Sequence, residues 1–169
     1  MTTSVAPAEW IRRIADDERK RDAVRLGEEE TASRKAHLVR QNGRRLLDEL
    51  RAAIARDVEA FCDEFAGDAS RVIVFQATPT TGGFVVRKPG SPSVTFTAIV
   101  DPDMAAMDCH YQFASSSGLP PREDRLDLAF VADGAETLQI KTHRTGQLFA
   151  NADALSEYLL TPVFTGRPR

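Results

Sequence analysis

From Arg44 to Phe65 the apolar residues recur at every third or fourth position: Leu47, Leu50, Ile54, Val58, Phe61 and Phe65. That spacing puts them on one face of a helix, the face that packs on a core. The stripe runs backwards through Leu46, Gly43, Val39, Ala36 and Ala32. It predicts one long helix, Glu28 to Phe65, even though Asn42-Gly43 is a pair that ordinarily marks a break. At ~1.5 Å per residue such a helix is roughly 55 Å long. It is expected to outrun a compact domain, so its N-terminal half needs another partner.

Trp10, Ile11 and Ile14 form an earlier apolar patch, followed by the charged run "DDERKRD". If Gly27 ends the helix that carries the patch, an αα-hairpin brings Trp10 and Ile14 near Val39 and Leu46. This is the arrangement expected on packing grounds. If Gly27 does not end it, the helices extend as a coiled coil between subunits. Ala32, Ala36 and Gly43 beside Val39 suit the close approach of another helix in either case.

After Gly67 the period changes to two. Short alternating segments at 71–77, 83–88, 93–100, 106–113, 125–132, 136–142 and 146–150 read as strands. Turn residues separate them: Gly82-Gly83, Pro89-Gly90, Asp101-Pro102 and Asp133-Gly134. Connections this short leave no room for crossover helices, so a six- to seven-stranded antiparallel meander is expected. One face carries Val94, Phe96, Ala98, Val100, Met107, Cys109, Tyr111, Phe113, Leu126, Leu128, Phe130, Leu138 and Ile140. The other carries Thr95, Thr97, Asp108, His110, Gln112, Asp127, Gln139 and Lys141. The segment "NADALSEYLLTPVF" predicts a short C-terminal helix with Asn151 as N-cap and Pro162 as its end. It is expected to cover the apolar face of the sheet beside the long helix.

The fold class is therefore α+β. Residues 1–66 form a helical segment that can serve as an oligomerisation arm. Residues 67–169 form the sheet and C-terminal helix, one folding unit with the end of the long helix.

Composition narrows the function classes. A net charge of -3 argues against a dedicated nucleic-acid binder. No apolar run approaches the ~18 residues that cross a bilayer. The stretch "MTTSVAPAEW" has neither a basic start nor an apolar core, so no secretory signal is expected. With only Cys62 and Cys109 and no CxxC, a cytoplasmic protein with two reduced thiols is the expectation.

The most chemical stretch is "MDCHYQF", residues 107–113. Neighbours on a strand point to opposite faces, so Cys109 should face the core and His110 should face outwards. They cannot form the thiolate–imidazole pair that nucleophilic catalysis requires. Cys62, close to the helical stripe, reads likewise as a core residue. Asp108 and His110, with Asp101 and Asp103 in the preceding turn, are suitable ligand types for a divalent metal. Their spacing is loose, however, no second histidine cluster supports them, and Asp101-Pro102-Asp103 is sufficiently explained as turn chemistry. Arg34, His37, Arg40, Arg44 and Arg51 recur on a basic helix face, balanced by Glu28 to Glu30 and by Asp48-Glu49. The loop "ASSSGLPPRED", residues 114–124, lacks the context of a serine hydrolase.

These observations assign no catalytic, cofactor-binding or metal residue. They point to a non-catalytic protein-interaction and oligomerisation module, most simply a homodimer through its N-terminal helices. The alternative is a domain that binds a small apolar ligand, or an enzyme using the sheet and the 114–124 loop.

Overall fold

The computed structural model describes residues 8–79, 82–101, 106–133 and 137–169. Helix α1 spans Glu9–Leu38, a π turn follows at Val39–Gly43, and α2 spans Arg44–Glu64. Gly27 lies inside α1, so the expected αα-hairpin does not form. A lone glycine costs a helix interior only about 1 kcal/mol. An i,i+4 ion pair spans it, Arg25 to Glu29 at 3.8 Å, and an i,i+3 pair precedes it, Arg25 to Asp22 at 3.2 Å.

The chain divides into two compact units between His37 and Leu38. The first is the helix up to His37, in which no described residue is buried. The second begins at Leu38 and holds the core. Val39, Gly43 and Leu47 are each four residues apart and all buried. In an ordinary α-helix that spacing drifts off a common face. The wider i→i+5 turn at Val39–Gly43 absorbs the drift and keeps all three on the core side. Val39 therefore packs in its own chain's core instead of in a seam between chains.

A 3₁₀ turn at Ala69–Arg71 leads into the sheet. Its strands are β1 (Val74–Ala77), β2 (Phe84–Lys88), β3 (Ser93–Asp101), β4 (Ala106–Ala114), β5 (Arg122–Ala132), β6 (Leu138–Thr142) and β7 (Leu148–Phe149). Every strand pairs antiparallel with its neighbour in sequence, giving the order β1 to β7 without a crossover. The inward positions are those that period-two alternation selects, and from Val94 to Phe130 all are buried. A row of rings crosses the strands on this face: Phe75–Phe84 at 5.8 Å, Phe84–Phe96 at 5.8 Å and Phe96–Tyr111 at 4.5 Å.

Helix α3 (Ala152–Thr165) covers this face beside α2. Asn151 caps it by accepting from the Ala154 N–H at 2.8 Å. The expected stop at Pro162 is not observed. The proline is buried inside the helix, and the helix ends at Gly166, whose φ of 69° is the left-handed conformation glycine tolerates. A proline removes the N–H that would bond the Tyr158 carbonyl. The Arg169 guanidinium donates to that carbonyl instead and lies 3.6 Å from the Tyr158 ring centre. Between the helices, the buried Ser156 hydroxyl donates to Asp57 at 2.7 Å, and Arg56 bridges to Asp153 at 2.9 Å.

Candidate functional site

The residues the sequence singles out are separated by the pleat. Cys109 is buried on the inner face, and burial pushes its thiol far above the reactive range. Cys62 is half-buried, its Sγ 3.7 Å from the Ile73 carbonyl oxygen. His110 lies on the outer face opposite Thr97 and Arg125, with Nε2 3.4 Å from Glu123 Oε2. Gln112 also donates to Glu123, and together with His110 it holds that carboxyl below its ordinary range. Asp108 faces Asp127 across the β4–β5 ladder, two like charges in register. Among the described residues no three His, Cys, Asp or Glu side chains gather into a metal-binding group. Asp103 lies outside the described residues, as does Gly134. No helix among the described residues is long and apolar enough to cross a membrane.

The basic helix face does not act as one patch. Arg51 turns inward and donates to the Gly82 carbonyl while pairing with Asp48 at 3.1 Å. The serine loop is shorter than its sequence suggests, because β5 already begins at Arg122. Ser115 and Ser117 hydrogen-bond to each other at 2.6 Å.

Two surfaces stand out among the described residues. On α1, Trp10, Ile14 and Val24 are 58%, 51% and 62% exposed. Trp10, Ile14, Asp17, Arg21, Val24, Glu28, Thr31 and Lys35 alternate at steps of four and three, a heptad seam along one side of the helix. A mostly apolar groove of about 450 Å³, lined by Val24, Gly27, Glu28, Thr31, Ala32 and Lys35, lies on this side.

The second surface is a cleft of about 530 Å³ between the Ala69–Arg71 turn, the end of β2 and the end of α3. Lys88 stands at an inward position of β2, in phase with Phe84 and Val86, and is only 7% exposed. Its ammonium donates to the Phe164 carbonyl at 3.3 Å. Burial, and then the charge of Arg71, lower its pKa from the ordinary lysine value. Arg71 lies with its guanidinium 4.1 Å from the Phe65 ring centre and 3.3 Å from Asp68. Arg167 completes the rim.

A lysine in phase with Phe84 and Val86 is a legible anomaly, and it is the signal that could have marked this cleft from sequence. Nothing in the sequence places Arg71 and Arg167 beside it. No protein-family model, curated protein or solved structure matches the chain.

Proposed function

We propose that the protein is a non-catalytic interaction module that self-associates through α1. The observation that carries this reading is that no residue from Glu9 to His37 is buried, although the segment bears Trp10, Ile11, Ile14 and Val24. Helices gain most of their stability by packing an apolar face.

A second copy is the partner that fits. Consider two α1 helices running antiparallel and centred on Arg19. Asp17 of each copy then faces Arg21 of the other, and Ile14 faces Val24. Trp10 comes to Glu28, at the wall of the groove. Each pairing occurs twice by symmetry and matches an a position with a d position, as antiparallel coiled coils require. The seam is short on apolar residues, so its opposed charges set the register.

Sedimentation equilibrium at tens of micromolar tests the reading and should give twice the 18.6 kDa chain mass. Asp17→Arg sets like charges in both symmetric pairs and should weaken assembly about tenfold. Adding Arg21→Asp should restore it. A strict monomer overturns the proposal, and so does a dimer indifferent to both changes.

A further inference from the structure

The cleft around Lys88 carries an inference independent of self-association. We propose that it binds a phosphate monoester, the phosphate held by Lys88, Arg71 and Arg167 and the organic body laid against Phe61 and Phe164.

Charge is the first argument. Three cations line the cleft, and no carboxylate does among the described residues. Asp68 accepts from the Ser70 N–H at 3.0 Å and from its hydroxyl at 2.6 Å through Oδ1 and pairs through Oδ2 with Arg71 Nε at 3.3 Å, which leaves the two terminal nitrogens of the guanidinium for a ligand. It lines the neighbouring hollow beside Cys62, not this one. A buried charge is ordinarily paired, because leaving water costs several kcal/mol. Among the described residues Lys88 has only the neutral Phe164 carbonyl, which takes one of the three donors of an ammonium. Two donors remain for a ligand.

Shape is the second argument. The cleft walls are fixed by close backbone approaches on both sides of the β2–β3 turn. A Cβ at Gly90 would overlap the Ser70 carbonyl, and one at Gly166 would press on the Pro92 ring at 2.5 Å. Lys88 is held by the Phe164 carbonyl and Arg71 by Asp68 and the Phe65 ring before any ligand arrives, so little ordering entropy is lost at these two cations on binding. Phe61 and Phe164 stack at 4.2 Å and 17°, giving the cleft an aromatic wall beside its cations. The volume is in the ~300–1,000 Å³ range of small-molecule sites, larger than a bare phosphate needs. Two charges on one ligand head suit three cations better than one charge does.

Titration calorimetry on the full chain decides it, with phenyl phosphate, inorganic phosphate and benzoate as probes. Phenyl phosphate should saturate the wild type with a Kd of about 1 mM or tighter. Both Arg167→Ala, at an exposed rim residue, and Lys88→Met should weaken it about tenfold. Tighter binding of phenyl phosphate than of inorganic phosphate assigns the aromatic wall to the ester. Equal binding assigns the site to free phosphate and keeps its anion chemistry. Three results overturn the proposal: no saturation by either phosphate, benzoate binding as tightly as phenyl phosphate, or affinity unchanged in Arg167→Ala. The last variant keeps the test valid if Lys88→Met does not fold.

Discussion

The Tyr111 hydroxyl donates to the Leu159 carbonyl at 2.8 Å, joining the middle of β4 to the middle of α3. Both residues are almost wholly buried, and burial pushes the phenol well above its ordinary range. Tyr111→Phe keeps the ring in its aromatic row and removes this bond together with the hydroxyl's interaction with Arg169. It should cost about 1–2 kcal/mol in urea unfolding. A variant as stable as the wild type would show that the bond holds nothing.

The two thiols should separate kinetically. In native protein a thiol reagent should modify half-buried Cys62 first and reach Cys109 only as the fold opens. Cys109→Ser places a hydroxyl among apolar neighbours and should cost about 1–3 kcal/mol. Fast native labelling of Cys109 would contradict its burial.

Val39→Asp should act on folding, since Val39 packs in the core at 6% exposure. A carboxylate there should cost about 3 kcal/mol or more. For a domain of this size the melting temperature should fall by roughly 10 °C. An unchanged melting temperature with lost assembly would restore the seam between chains.

Lys88 gives a pH dependence of known sign. Its pKa is lower in the folded chain than in the unfolded one, so between the two values the unfolded state binds more protons. Wild-type stability should therefore rise relative to Lys88→Met as pH climbs through the alkaline range towards about 10.4, the unfolded value. Urea melts of the pair across that window measure it. A constant difference would mean that Lys88 titrates as a solvated lysine.

Much of this fold can be read from the chain without coordinates. The alternation from Val94 to Phe113 and the turn residues between strands locate the meander, because a pleat has only two faces. Leu47, Leu50, Ile54 and Val58 locate α2 for the equivalent helical reason. What could not be read depends on residues far apart. Pro162 is tolerated within α3 because Arg169 serves the carbonyl it leaves, a rescue supplied from beyond the helix end. Gly27 reads as a terminator because a glycine's backbone freedom is visible in sequence, while its cost of about 1 kcal/mol is small enough for a thirty-residue helix to run through it. The basic cleft is likewise tertiary: Arg71, Lys88 and Arg167 come from a turn, a strand end and a tail.

The unbroken neighbour-to-neighbour pairing of β1 to β7 has a consequence for synthesis. A ribosome releases α2 before any strand, and each strand then finds its partner in the segment made just before it. Such local pairing keeps loop closure short and folding fast. The greasy side of each new hairpin meets a cover that already exists, and α3 closes the remainder after the last strand is out. The nascent sheet is never wholly bare, which protects it from the sticking that slow, distant strand pairing invites.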